Sequence, residues 1–474
     1  MTRPPDPQVA DQVLKYLTGA RWFAGKGRQV ELVSLTPLPW LTEVSEFYGA
    51  PGALAVRFEI AEVRYPPDED PDDAQVGTDH EYYQLAAAYR KAPQSDLHHA
   101  EIGRFTDTDL GPAVAYDAAQ DPQACRVILG ALLASRMLRG PEESVGFHLA
   151  DGQGLSVDLE PRMFTGQQSN TSVMLGDVAL IKLFRRLELG RNLDIAVHDA
   201  LNAAGVDDVA GLFGWVEGTW VSGGSLLAAD MAMVVEKLAE ATDGWALALD
   251  CLKINSGFAD EAEALGRALA KIHRALRGAF PTARIIGASA AVIMEERLQR
   301  AAEIAPALDP YLPGLRRCFD DLAAVTLDTQ RVHGDFHLGQ TLHTPSGWKI
   351  IDFEGEPVKT MAERLAPDSI WRDIAGMLRS FDYAAASVPG PGSAAWAADS
   401  RGAFLHGYAG GGLSATEAQL LRAYEADKAI YEVVYETRNR PDWVGIPLGA
   451  VANLAGAPPP TPNDQRHPTE QNNS

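Results

Sequence analysis

Two early stretches, ALAVRFEIAEVRY (53–65) and EYYQLAAAYRKA (81–92), are apolar runs broken at intervals by single polar residues, a pattern that predicts strands. Between them PPDEDPDDAQVGTDH (66–80) is acidic and carries prolines, so a solvated loop is expected there. A helix-like segment follows near 124–138. From 155 to about 236 the chain again reads as strand-rich, with the apolar runs VALIKLF (178–184) and MAMVVEKL (231–238). Then the period changes. In ADEAEALGRALAKIHRAL the apolar residues Ala262, Leu265, Leu269, Ile272 and Leu276 recur at helical spacing. GWKIIDFEGEP (347–357) interrupts the helices with a strand, and RDIAGMLRSFDYAA and TEAQLLRAYEADKAIYEVVYETR resume them. The last stretch, GAPPPTPNDQRHPTEQNNS, has almost nothing apolar and is expected to be disordered. The expected layout is an N-terminal extension (1–95), a sheet-rich lobe (96–236), a large helical lobe (237–455) and a tail (456–474).

Length and composition constrain this layout without altering it. The chain has 474 residues, 46% hydrophobic and 22% charged, which is ordinary for a globular protein of several domains. Cys125, Cys251 and Cys318 are far apart and form no CxxC pair, so no disulfide framework is expected. The net charge of −23 disfavours nucleic acid and anionic membranes as partners. An anionic substrate such as ATP would therefore need a local cationic pocket and a metal ion. No apolar run approaches the ~18 residues of a membrane span, and the first residues lack the apolar core of a secretory signal. Cytoplasm is the expected location.

The densest chemistry lies in RVHGDFHLGQTL (331–342). His333, Asp335 and His337 alternate, so on a strand they would share one face, with His343 and Asp352 as the next candidates for a zinc cage. A buried polar loop is the plainer reading. A third reading uses spacing. In protein kinases a catalytic Asp is followed five positions later by a metal-binding side chain, then by a second metal-binding Asp after a short hairpin. Here Asp335 is followed by Gln340, then TLHTPSGWKII, a strand–turn–strand that delivers Asp352. One carboxylate must accept the proton of the attacking hydroxyl; a second carboxylate and an amide oxygen must hold Mg²⁺ against nucleotide phosphates. Asp335 is then the base, and Gln340 and Asp352 are the metal ligands. Glu354 and Glu356 are expected either to support the metal ligands from behind or to be in solvent or structural pairs, and Asp373 to brace the catalytic loop. The same reading requires a lysine on a strand of the smaller lobe, and Lys182 in ALIKLF fits. One strand upstream, GQQSNTSV offers Ser169, Asn170, Thr171 and Ser172 as donors to phosphate oxygens.

These residues resemble a known family. VHGDFHLGQTL, WKIIDFEGEP, APDSIWRDIAGMLRSFDYAA, AYEADKAIYEVVYETRNRPDWVGIPL, GQQSNTSVMLGDVALIKLFRR and RWFAGKGR are similar to segments of bacterial maltokinases, within the wider aminoglycoside-phosphotransferase-like kinases. The resemblance implies an α+β, bilobal protein-kinase-like fold with a sheet-rich N-lobe, an extra N-terminal cap subdomain and a large helical C-lobe. It implies phosphorylation of maltose by ATP at the anomeric hydroxyl, giving maltose 1-phosphate for α-glucan synthesis, with Mg²⁺ as cofactor. Some related kinases dock onto a trehalose-isomerising enzyme. Carried over, Lys182 contacts the ATP phosphates, and Val235, Glu236 and Leu238 lie in the hinge that meets adenine. His333, Lys428, Tyr431, Glu432, Tyr435 and Glu436 are the candidates for the sugar. One departure stands out. The family runs N-P-D-I-E after the lysine, and its glutamate is the lysine's partner; here Asn192, Leu193, Asp194, Ile195 and Ala196 occupy the run. Asp194 or Asp199 would have to substitute. The alternatives are a related sugar kinase, such as a glucosamine kinase, and a sugar- or nucleotide-binding pseudokinase.

Overall fold

The computed structural model describes residues 6–49, 52–66, 80–164, 170–356 and 359–458, so most of the acidic loop, Ser169 and the last 16 residues of the tail lie outside the described residues. The chain divides into two compact units, one of residues 1–199 and 210–239, the other of residues 200–209 and 240–474.

The first unit is built on two antiparallel sheets. Its N-terminal sheet takes β1 (Glu31–Pro37), β2 (Leu54–Arg64), β3 (His80–Arg90), β4 (Glu101–Asp107) and β5 (Gly111–Asp117) in the order β1-β2-β3-β5-β4. Side chains alternate across a strand, so β2 serves two cores. Val56, Phe58 and Ile60 pack with Ile128 and Leu132 of the helix Pro122–Leu133; Ala55, Ala61 and Val63 pack with Val13 and Leu17 of the helix Pro7–Gly19. With both faces covered, even the strand's polar residues Arg57, Glu59 and Glu62 are buried, and Arg57 pairs with Glu59 at 2.7 Å and Asp107 at 2.8 Å.

The second sheet comprises β6 (Met137–Arg139), β7 (Ser144–Leu149), β8 (Pro161–Met163), β9 (Thr171–Leu175), β10 (Ala179–Leu183), β12 (Leu212–Ser222) and β13 (Ser225–Glu236), in the order β6-β7-β12-β13-β10-β9-β8. The short β11 (Arg186–Leu187) pairs instead with β3. The expected helix at 124–138 stops at Leu133, because Ser135 takes a left-handed φ of 45° and the chain turns into β6. The two sheets are joined by buried polar bonds. Gln84 Nε2 donates to the Phe184 and Met231 carbonyls at 3.0 Å, and Arg185 pairs with Asp117 at 2.6 Å.

The second unit is helical. Its long helices are Ala259–Ala279, Gly287–Ile304, Ile370–Ser387, Ser393–Ala409 and Ala415–Asn439. They surround a hairpin of Thr341–Thr344 and Gly347–Ile350, which turns at the expected TPSG segment. Gly376 matters here. A Cβ at this position would stand 2.5 Å from the Phe336 carbonyl oxygen, so only glycine lets the helix Ile370–Ser387 lie against the loop that precedes the hairpin. Among the described residues no helix is long and apolar enough to cross a membrane.

Candidate functional site

The loop 330–340 is held by one buried carboxylate. Asp373, fully buried on the helix Ile370–Ser387, accepts the backbone N–H groups of His333 and Gly334, each at 2.8 Å, and pairs with His273 Nε2 at 2.8 Å. Burial opposes its charge, but the His273 bond and the loop amides outweigh it and hold the carboxyl below its ordinary range. Asp373 is thus the brace that the sequence suggested.

Gly334 takes a φ of 90°, which breaks the extended backbone that would have put His333, Asp335 and His337 on one face. His333 turns inward instead. It is 1% exposed and packs against Phe336 and Phe353. Its Nδ1 accepts the Asp335 N–H at 3.3 Å, and its Nε2 donates to the Ile351 carbonyl at 3.0 Å. The expectation that His333 faces a sugar is therefore corrected: it ties Asp335 to the strand end that carries Asp352.

Asp352 sits at a left-handed φ of 66°, a costly conformation for a residue with a side chain, worth about 1–3 kcal/mol. Its Oδ2 accepts from Gln340 Nε2 at 3.0 Å. The bond uses the amide nitrogen and one carboxylate oxygen, and so directs the amide oxygen and the second carboxylate oxygen elsewhere. These are hard oxygen donors of the kind Mg²⁺ takes, with nucleotide phosphates and water to complete the shell. Among the described residues no group of three or more His, Cys, Asp or Glu side chains is placed to hold a metal ion, so a zinc cage around His333, Asp335 and His337 does not form. Glu356 is in a structural pair, with Lys359 at 3.5 Å and Lys428 at 3.9 Å, while the backbone carbonyl of Glu354 takes a bond from Arg364.

Asp335 lines a cavity of about 610 Å³. Lys428, Tyr431, Glu432, Tyr435 and Glu436 line it too, on successive turns of one face of the helix Ala415–Asn439. The Tyr431 and Tyr435 rings stack at 6.5 Å, and Lys428 Nζ lies 3.5 Å from Asp335 Oδ1. Burial disfavours the Lys428 ammonium, but Asp335, Glu356 and Glu432 more than offset it and raise its pKa. Burial also pushes the His337 imidazole down, leaving it neutral near pH 7, with Nδ1 accepting the Gly339 N–H. Sequence reasoning missed Trp245, Tyr383, Arg440 and Trp443, which complete the wall. Tyr383 left a trace, since Gly376, Ser380 and Tyr383 recur on one helical face of the RDIAGMLRSFDYAA segment, and so did Arg440, four residues after Glu436 on the same face.

In the first unit, Lys182 projects from β10 and pairs with Asp194 Oδ2 at 2.8 Å. Asp194 is completely buried and also meets His198 at 3.1 Å. Burial opposes its charge, yet Lys182 and His198 hold the carboxyl well below its ordinary range. The Ala196 departure is thus compensated by Asp194, two residues earlier. Asp199 pairs with Arg191 at 3.6 Å. Asp194→Asn keeps the shape and removes the charge, and should cost about 1–3 kcal/mol of stability in urea denaturation.

Of the expected phosphate loop, Asn170 lies in a bend before β9, while Thr171 and Ser172 lie inside that strand and are 7% and 2% exposed. Thr171 Oγ1 accepts from Arg185 Nε at 2.7 Å, a structural bond rather than a phosphate contact. Val235 is buried opposite Leu180 and Leu212. The Glu236 N–H donates to the Gly211 carbonyl, and Leu238 packs part-buried on the core.

A family profile described as the maltokinase N-terminal cap domain matches residues 16–121, and one described as the phosphotransferase enzyme family matches residues 258–420. The chain is a maltokinase-like protein of the aminoglycoside-phosphotransferase superfamily. Its fold is the α+β, kinase-like one of that superfamily, with the cap domain at its N-terminus. Curated relatives of this maltokinase-like chain include a glucosamine kinase of Streptacidiphilus jiangxiensis, 28% identical over 68% of this chain and 80% of that protein. Another is a glucosamine kinase of Mycolicibacterium smegmatis, 28% identical over 62% of this chain and 79% of that protein. A solved glucosamine kinase in complex with glucosamine, ADP and inorganic phosphate superposes with a TM-score of 0.64 at 20% identity, covering 95% of this chain and 100% of that one. At that identity the likeness establishes the fold.

Proposed function

We propose that this chain is a sugar kinase that transfers the terminal phosphoryl group of ATP to the anomeric hydroxyl of maltose, giving maltose 1-phosphate. The observation that carries this reading is the placement of Asp335. Its carboxylate lines a cavity walled by two stacked tyrosines, and His333 ties its backbone to the strand end that presents Asp352. Asp335 orients the sugar hydroxyl and takes its proton as the new P–O bond forms. Asp352 and Gln340 would hold Mg²⁺, which supplies charge stabilisation for the phosphates when bound. Lys182, fixed by Asp194, grips the ATP phosphates. A cavity of this volume, with aromatic faces and a few convergent polar groups, suits a small saccharide.

The cap domain favours maltose as the acceptor, whereas the glucosamine kinases among the relatives favour glucosamine. The intact Lys182–Asp194 pair disfavours a pseudokinase. A cytoplasmic location and a trehalose-isomerising partner belong to the same proposal. A phosphate-transfer screen with labelled ATP over maltose, glucose, glucosamine and trehalose tests it; transfer to none of them rejects the sugar-kinase reading, and transfer to glucosamine in preference to maltose rejects the maltose assignment. Replacing Gln340 and Asp352 together by alanine should weaken Mg²⁺-dependent nucleotide binding by at least about 100-fold. An unchanged affinity in calorimetry would reject the metal assignment.

A further inference from the structure

The cavity that holds Asp335 contains three carboxylates, and each has a cation beside it. Asp335 faces Lys428 at 3.5 Å. Glu432 takes two guanidinium N–H groups of the buried Arg379 on a single oxygen, Oε2, at 2.8 and 2.9 Å. Glu436 is clasped by Arg440 through both oxygens, at 2.7 and 3.0 Å, and accepts the Tyr383 hydroxyl at 3.1 Å. Each of the three carboxylates is thus paired, although Arg379 stands behind the cavity lining and also binds Asp382 at 2.8 Å, and Lys428 also neighbours Glu356 at 3.9 Å. Glu432 keeps one oxygen off the Arg379 fork, which suits a hydroxyl donor.

A neutral ring loses little on entering such a site. An ammonium group must shed its water and then finds each lining carboxylate already engaged by a cation, with Lys428 adding like-charge repulsion. Arg440 is the exposed member of this set, with 48% of its side chain accessible, and it lies over the Tyr435 and Trp443 rings with Cζ 5.5 and 5.1 Å from their centroids. Glu436 beneath it is buried, with a side chain 2% exposed.

We infer that the acceptor cavity is matched to uncharged sugars and that Arg440 is the residue that sets this preference, by neutralising Glu436 and so denying an amino sugar its counter-ion. The inference rests on the sugar-kinase reading above and deepens it. It concerns a discrimination that matters on this fold, since the curated relatives are named as glucosamine kinases.

The test compares size-matched acceptors that differ only in one charged group: maltose with its 2-amino-2-deoxy derivative, and glucose with glucosamine. Each is followed by kcat/KM and, without turnover, by calorimetric titration. The full-length enzyme is expected to favour the neutral member of each pair by about ten-fold or more. Arg440→Met exposes the Glu436 charge and should shift the ratio toward the amine by about ten-fold. Arg440→Lys restores a cation and should return most of the preference. A purely structural Arg440 would weaken both members alike and leave the ratio unchanged, which overturns the inference. A wild-type preference for the amine also overturns it, while leaving the sugar-kinase reading intact. If no sugar is phosphorylated, that reading fails, and the titrations still decide the charge preference.

Discussion

Asp335→Asn is expected to lower phosphate transfer by about 10³-fold, within the range that a positioned general base contributes, while nucleotide binding and the thermal midpoint stay close to wild type. The carboxamide has nearly the same shape, but it cannot accept the proton of the attacking hydroxyl. The surroundings predict a small structural effect. Asp335 is 23% exposed, and its Lys428 contact is a loose pair at 3.5 Å. Lys428 keeps Glu356 at 3.9 Å as a second partner. A loose, partly exposed pair of this kind contributes about 1 kcal/mol, against the ~4 kcal/mol of barrier that a 10³-fold loss represents. ADP release in a coupled assay, MgATP titration and a thermal melt separate the two effects. More than a few per cent of residual transfer in a folded, ATP-binding variant would remove Asp335 from the role of base.

The parts of this site that could be read from sequence are those set by local pattern. Lys182 within an apolar run, the TPSG turn and the single face of Lys428, Tyr431, Glu432, Tyr435 and Glu436 follow from periods of two and 3.6, and the structure shows all three. The parts that misled depend on register and on backbone sign. Thr171 and Ser172 pair with Leu183 and Lys182, so they belong to the strand, and their side chains answer to sheet packing instead of to a loop. His333 was expected beside Asp335 and His337 because an extended chain alternates; one glycine at positive φ cancels the alternation. Asp194 and Asp199 were equal candidates in sequence. Only the tertiary position of their helix buries one against Lys182 and leaves the other, half-exposed, to Arg191. Arg440 continues the Lys428–Glu436 face at i+4 and Trp443 follows in the next turn, so both were within reach of the same period, whereas Trp245 reaches the cavity through long-range packing, for which a single chain carries no periodic signal.

Asp373→Ala is expected to cost about 3–5 kcal/mol of unfolding free energy, the loss typical of removing one partner from a buried charged set. The carboxylate serves three donors at once, the His333 and Gly334 amides and the His273 ring, and all three are buried or part-buried. Alanine leaves two loop N–H groups and an imidazole facing an empty space, so the penalty includes the hydrogen bonds that all three lose. The pH dependence has a definite sign. The folded pKa of Asp373 lies below its ordinary value, so its contribution is fully present above the unfolded pKa of ~3.9 and is lost as pH falls through the folded pKa. The difference in stability between wild type and Asp373→Ala should therefore be constant from neutral pH down to about 5 and should shrink in more acid solution. Urea denaturation across that range measures it. Transfer activity should fall with the same substitution even well below the melting temperature, because the loop that carries Asp335 loses its anchors one and two residues from the base. A variant that unfolds at the wild-type urea midpoint, or one whose deficit grows on acidification, would contradict the bracing role.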